Sequence, residues 1–405
     1  MDIKKFMVLF VFGNLIFFLQ GSGQDILTIK GKVFESDLQT PIPYVNIAVS
    51  DGLGTSTNEL GEFELKIRNE GQTTKLLKVS CIGYESKQVT LKQEGNLTDI
   101  NIFLEQKIFP LEQIIINSKA ITTDEILKNV NSNLDKNYSS KGFQREAFVR
   151  VKRFDAKEAL LQTMDIYLEQ FHPKGNSKNS PRSTNLIQGR IVGNVVNGLV
   201  DDEELYWVDL FFLRRHDINS YSYPYTTPKQ YTYSLDKSVY EYEGHPAFLI
   251  NYSKINPDDE KNGGWPNAIK IVGKIYINES DFAILRIEEE IVLKDFDPLD
   301  KSEQAKKFDK AIKFKHLTSL LNFKKDTDGY YLSDSHVRRL SMESIGGEQK
   351  WISTFSDLII TSQKDYSKGC NPCNLLFSKA KNEENFWNSH TIYSDVAKHG
   401  LPFKH

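Results

Sequence analysis

Gly54-Thr55-Ser56-Thr57-Asn58-Glu59-Leu60-Gly61-Glu62-Phe63 reads as the end of one strand, a tight turn and the start of another. Asn58 can bond the backbone ahead of it and Gly61 can take a positive φ, which is what such a turn asks of its residues. Short runs with the two-residue period of a strand lie on both sides. Val45, Ile47 and Val49 share one face of the run before it. Phe63, Leu65 and Ile67, then Leu77, Val79 and Cys81, then Ile100, Ile102 and Leu104 do the same in the runs after it. Several half-buried strands, each bounded by a turn signal, predict a small antiparallel β-sandwich over 26–105.

The motifs inside this region are specific. Gly31-Lys32-Val33, Pro43-Tyr44-Val45-Asn46-Ile47, the Gly54-to-Phe63 hairpin and Ser80-Cys81-Ile82-Gly83-Tyr84-Glu85 together resemble the carboxypeptidase-like regulatory domain, and Phe109 to Ile116 resembles the tail that follows it. The resemblance implies a transthyretin-like sandwich of about seven strands, on an exported protein of the Bacteroidetes type. It does not imply peptidase activity, because the domain is an accessory of the enzymes it is named after.

Lys4 and Lys5 precede an apolar run from Phe6 to Leu19, interrupted by Gly13 and Asn14 and followed by Gly21, Ser22 and Gly23. A bilayer span takes about 20 apolar residues. This shorter run predicts a secretory signal peptide over 1–23, cleaved near Gln24. No cysteine stands near that point, so no lipid anchor is expected, and the expected location is the periplasm, the outer membrane or the cell exterior. The 51 Lys and Arg against 54 Asp and Glu leave a net charge of −3, which gives no electrostatic reason for a nucleic-acid partner. Aromatic residues make up 12% of the chain, which suits an extracytoplasmic β-protein.

Three cysteines are too few for a disulfide scaffold. Cys81 shares the face of Leu77 and Val79 and is expected to be a small buried hydrophobe. Cys370-Asn371-Pro372-Cys373 admits three readings. A redox site would need a βαβ context, and a zinc site would need further ligands at suitable spacing. A short local disulfide between Cys370 and Cys373 asks for neither.

Thr122 and Glu125 have the spacing of a capping box, and Ile126, Val130 and Leu134 recur every four residues with Leu127 widening the stripe. They predict an amphipathic helix from Thr122 to Tyr138, lying over one face of a sheet and completing a connection over 106–140. From 141 to 365 the chain is dominated by strands. Phe143 to Val151, Leu161 to Phe171, Tyr231 to Tyr242, Ala247 to Ser253, Ala268 to Asn278, Phe282 to Leu293, Lys313 to Lys324, Tyr330 to Glu343 and Trp351 to Thr361 all have strand character. Short polar links join most of them, so the fold is mainly β, with a large curved antiparallel sheet of half-barrel form and a tail over 366–405. Its organisation looks similar to the lipoprotein-carrier half-barrels of the bacterial periplasm. Both parts, with Phe386-Trp387 near the end, also resemble a group of exported Bacteroidetes proteins of unknown function.

No catalytic motif stands out, and no cofactor or metal is expected. None of the eight histidines has Glu three residues on, and His-Glu-x-x-His, Gly-x-Ser-x-Gly and phosphate-cradling glycine loops are absent. The run Asp201 to Glu204 lacks calcium-ligand spacing and reads as a solvated loop. A hydrolase with a dispersed site could draw on His216-Asp217, on His245 beside Glu241 and Glu243, or on Asp334-Ser335-His336, though each is more simply a turn or strand-edge residue.

Tyrosines crowd between Tyr221 and Tyr242. Tyr231 with Tyr233, and Tyr240 with Tyr242, read as cross-strand pairs inside the sheet. Tyr221, Tyr223 and Tyr225, with Trp207 and Trp265, form the candidate binding surface, where exposed rings would stack on a sugar or grip an extended peptide. The expected function is therefore a non-enzymatic cell-envelope protein whose sandwich is an interaction module and whose sheet binds an envelope protein, a glycan or a lipid. A lipid carrier would instead show a dry cavity lined by Phe248, Ile250, Ile275, Ile277, Ile284 and Ile287.

Overall fold

The computed structural model describes residues 26–49, 54–68, 74–92, 97–110, 121–138, 141–176, 183–192, 218, 223–259, 261, 264–265, 267–294, 314–326, 329–345, 348–367 and 380–390. The N-terminal part is built from β1 (Ile26–Glu35), β2 (Asn46–Val49), β3 (Gly54–Ser56), β4 (Glu62–Arg68), β5 (Thr74–Ser80), β6 (Lys87–Lys92) and β7 (Leu97–Leu104). They form two sheets, ordered β4-β1-β7 and β3-β2-β5-β6. The alternation places the core as expected: Val45, Ile47, Phe63, Leu65, Leu77, Val79 and Ile102 are buried in one cluster, with Cys81 among them as a free thiol.

The turn after Thr57 forms as its residues require. Asn58 Oδ1 accepts from the amides of Leu60 and Glu62 at 2.8 and 3.0 Å, and Gly61 takes φ +71°. Two details depart from the sequence reading. β1 and β7 run parallel, because β7 arrives from β6 in the opposite sheet by a crossing between layers and not by a hairpin. At that pairing a Cβ on Gly31 would stand 2.3 Å from the Ile100 carbonyl oxygen and 2.8 Å from the Phe63 ring, so no side chain fits. The strand expected to carry Val45, Ile47 and Val49 begins only at Asn46, and Pro43-Tyr44 is a turn in which Tyr44 takes φ +58°.

The second part is one open sheet of eleven strands. They are β8 (Ile108–Pro110), β9 (Phe143–Phe154), β10 (Leu160–His172), β11 (Ser183–Val192), β12 (Tyr231–Tyr242), β13 (His245–Lys254), β14 (Ala268–Asn278), β15 (Ile284–Leu293), β16 (Phe314–Asp326), β17 (Gly329–Ile345) and β18 (Glu348–Asp365). The order is β11-β10-β9-β18-β17-β16-β15-β14-β13-β12-β8, antiparallel at every pairing. β12 to β18 form a meander, and β9 closes onto β18. β8 leaves the sandwich directly and pairs its residues Ile108, Phe109 and Pro110 with Tyr240, Val239 and Ser238, which stitches the two parts together at the sheet edge.

Helix α1 (Thr123–Asn137) begins at the capping box of Thr122 and Glu125. Its stripe of Ile126, Leu127, Val130 and Leu134 joins Phe248, Ile250, Ile275, Ile277, Ile284, Ile287 and Leu321 in one buried cluster. Tyr138 locks its end: the hydroxyl donates to the Ile284 carbonyl and accepts from the Ile284 amide, both at 2.8 Å. Alternate side chains of the sheet point away from α1 and meet the sandwich. Gly83 of the sandwich donates its amide to the Glu241 carbonyl at 2.8 Å, and Arg286 Nη2 reaches the Cys81 thiol at 3.9 Å. The short helix α2 (Glu384–Ser389) buries Trp387 under Arg190, and Lys66 of the sandwich donates to the Trp387 carbonyl at 3.2 Å.

Candidate functional site

Two adjacent rows of side chains cross strands β14 to β18 on the sandwich-facing side. Val272, Glu290, Thr318, Arg338 and Phe355 are successive cross-strand partners, and so are Lys274, Glu288, Leu320, His336 and Asp357. Most of these residues floor a cavity of about 770 Å³. Tyr44, Glu59 and Leu60, carried on the two sandwich turns, wall it on the β17 side, and Asn251 lines it on the β13 side. Five strands at about 4.8 Å spacing make the floor about 19 Å long.

The sandwich end of this trough is a buried ionic cluster. His336 Nδ1 lies 2.8 Å from Asp357 Oδ1, and its Nε2 lies 2.9 Å from Asp334 Oδ1. Arg338 Nε donates to Glu59 at 2.6 Å, and its Nη2 pairs with Asp357 at 2.8 Å. Tyr44 places its ring 4.0 Å from the His336 ring and donates its hydroxyl to Glu59 at 3.2 Å. Asp334 also accepts from Ser333 at 2.6 Å and Asn322 at 2.7 Å. The positive φ of Tyr44 is costly for a bulky side chain, about 1–3 kcal/mol, and is held by the packing that aims the ring at His336.

Burial alone would discharge His336, but the hydrogen bonds to Asp334 and Asp357 outweigh it and hold the imidazole above its usual pKa. Burial likewise opposes the charge on both carboxylates. His336 holds Asp334 below the ordinary carboxylate range, and Arg338 with His336 does the same for Asp357. Burial pushes the Tyr44 hydroxyl far up, so it stays a neutral donor. The cluster is thus an imidazolium and a guanidinium shared among three carboxylates, with a neutral phenol above them.

The far end is more open and its charges are paired more loosely. Glu288 lies 3.9 Å from Lys274 and 3.8 Å from Arg286, while Glu290 holds Lys270 at 2.6 Å and His316 at 3.0 Å. Leu320 is the apolar residue in the middle of the floor, Val272 and Phe355 end the first row on β14 and β18, and Leu60 adds an apolar surface from the sandwich.

This arrangement does not suit acid–base chemistry. A general base needs a free imidazole nitrogen facing the proton it takes, and both nitrogens of His336 are held by carboxylates. Ser335, flagged with Asp334 and His336 in the sequence, points to the opposite face of the strand, so the three residues do not converge. His245 is exposed, and its two neighbours are occupied elsewhere, Glu241 with Lys107 and Glu243 with Lys78. His216 and Asp217 lie outside the described residues. Among the described residues, no group of three or more His, Cys, Asp or Glu is placed to hold a metal ion.

The described residues of the expected aromatic surface, Tyr223, Tyr225 and Trp265, are buried. Tyr223 and Tyr225 are buried and stacked at 5.4 Å inside the α1 cluster, and the Tyr225 hydroxyl donates to the Ile218 carbonyl. Trp265 is buried against Phe314 at 5.3 Å. These rings complete the cover of the sheet, so their faces are not free to stack on a sugar. Trp207, Tyr221, Cys370 and Cys373 lie outside the described residues. The apolar cavity expected beneath Phe248, Ile250, Ile275, Ile277, Ile284 and Ile287 is filled by α1 and its neighbours, and the open trough lies on the other side of the sheet. Sequence reading passed over Tyr44, Glu59 and Arg338. The available signal was Asp334, His336 and Arg338 at alternate positions of one strand, a charged row that must find partners once buried.

The architecture is that of a two-sheet sandwich carried on a large open antiparallel sheet. Residues 29–116, which include most of the sandwich and β8, match the family model of the CarboxypepD_reg-like domain. No curated protein matches the chain. Among solved structures, the chain is similar to a membrane-associated protein of unknown function from Bacteroides fragilis, at 8% identity and a TM-score of 0.17 over 84% of this chain and 99% of the other. It is also similar to lipovitellin, in a structure concerned with lipid–protein interactions, at 8% identity and a TM-score of 0.22 over 57% of this chain and 26% of that one. No helix among the described residues is long and apolar enough to cross a membrane.

Proposed function

We propose that this is an exported, non-enzymatic protein of the bacterial cell envelope that holds a small envelope ligand in the trough between sandwich and sheet. The observation that carries the reading is the cavity of about 770 Å³ lined from both parts of the chain, within the size range of ligand pockets. The sandwich acts as a positioning module: its two turns supply Tyr44, Glu59 and Leu60, and they clamp onto His336 and Arg338 without leaving a reactive group free. Export rests on the leader-like run from Phe6 to Leu19.

Native mass spectrometry of the protein taken from its own envelope fraction tests both parts at once. The expected mass is that of a chain beginning near Gln24, carrying a small-molecule load that is lost in Leu320→Trp, where an indole fills the floor. A full-length cytosolic chain, a bare protein, or a load unchanged by Leu320→Trp would overturn the reading.

A further inference from the structure

We propose that the occupant of the trough is a single acyl chain on a zwitterionic head group, with the head at Lys274 and Glu288; this rests on the trough being the ligand site. Three observations narrow the chemistry. The cations at the sandwich end are already engaged, Arg338 by Glu59 and Asp357 and His336 by Asp334 and Asp357. A ligand body lying there meets no free countercharge, so it is uncharged. The floor is also the interior of a sheet, where β14 to β18 pair with their neighbours through both rows. An extended peptide laid across it finds no free backbone groups for its own amides and carbonyls, which bars strand addition. An acyl chain has no such groups to satisfy. Finally, a floor about 19 Å long, with apolar Val272 at one end, Leu320 at the middle and Phe355 at the other end, fits a long flexible chain better than a short row of sugar rings, each of which demands several hydrogen bonds.

The head group follows from the open end. Lys274 and Glu288 are 3.9 Å apart and each is partly exposed, so both can turn to a ligand without abandoning a close hydrogen bond. A carboxylate head would suit Lys274 but face Glu288 and Glu290, and a purely cationic head would face Lys274 and Lys270. A head carrying a phosphate and an ammonium meets one partner of each sign.

The test is calorimetric titration of the full mature chain with lysophosphatidylethanolamine below its micelle concentration, with oleate, and with maltotetraose. Lysophosphatidylethanolamine is expected to bind with one-to-one stoichiometry, at least about ten-fold tighter than the other two. Leu320→Trp and Val272→Trp, two independent ways of filling the floor, should each weaken it by about ten-fold or more. Glu288→Lys should weaken it and strengthen oleate, narrowing or reversing the preference. Equal affinity for oleate, tighter binding of maltotetraose, or indifference to both tryptophan variants overturns the proposal. If lysophosphatidylethanolamine fails while Leu320→Trp still strips the natural load, the trough remains the site and the acyl chain is wrong. If the load ignores Leu320→Trp, both readings fall.

Discussion

His336 is gripped on both ring nitrogens by carboxylates and on its face by Tyr44, and that sets the sign of its pH dependence. Its folded pKa is raised, so its stabilising contribution is complete below the unfolded value of about 6.5 and is lost as pH rises through the folded value. Lys324, a half-buried cation near Asp334, is lowered by desolvation and contributes with the opposite sign. The difference between wild type and His336→Gln isolates the histidine: the stability advantage of wild type in thermal melts should shrink as pH rises from about 6.5. A constant difference would contradict the charged imidazolium. Arg338→Ala strands Glu59 and Asp357 in a buried site and should cost about 3–5 kcal/mol in urea unfolding. A loss below about 1 kcal/mol would mean that the pair behaves as a surface ion pair.

Helix α1 is the element that decides which side of the sheet is open. Its residues were legible in sequence because capping and the four-residue apolar recurrence are local properties: Thr122, Glu125, Ile126, Val130 and Leu134 all do what their spacing implies. The hairpin turn at Asn58 to Gly61 was legible for the same reason. Non-local facts were not. Alternation assigns a residue to a face but not to a layer, so the parallel β1–β7 pairing and the insertion of β8 into the large sheet could not be read from it. Tyr223 and Tyr225 misled because tyrosines beside Pro224 in a loop suggest exposure, whereas this loop folds over α1's cluster. Tyr138 fastens the helix end by bonding both backbone groups of Ile284, so Tyr138→Phe should cost about 1–3 kcal/mol and speed hydrogen exchange of the Ile284 amide. An unchanged exchange rate at Ile284 would show that the hydroxyl is not its partner.

At the scale of the whole molecule, sandwich and sheet are joined along a continuous line, from the β8–β12 pairing through Gly83 and Glu241 to Tyr44 and His336. The sequence identified the sandwich, its family resemblance and the strand-rich second part. It also drew attention to Asp334 and His336, though as a catalytic option. It could not pair them with Tyr44 and Glu59, because that contact joins residues separated by most of the chain and depends on how two complete sheets dock. The trough exists only because of that docking, so its occupancy is the central claim. A crystal structure of the protein purified from its source cells without detergent tests it most directly. The account predicts continuous chain-like density over Leu320, running from Lys274 and Glu288 toward Leu60, with Tyr44 seated on His336. An empty trough with the sandwich swung away from His336 and Arg338 would contradict both the docking and the site.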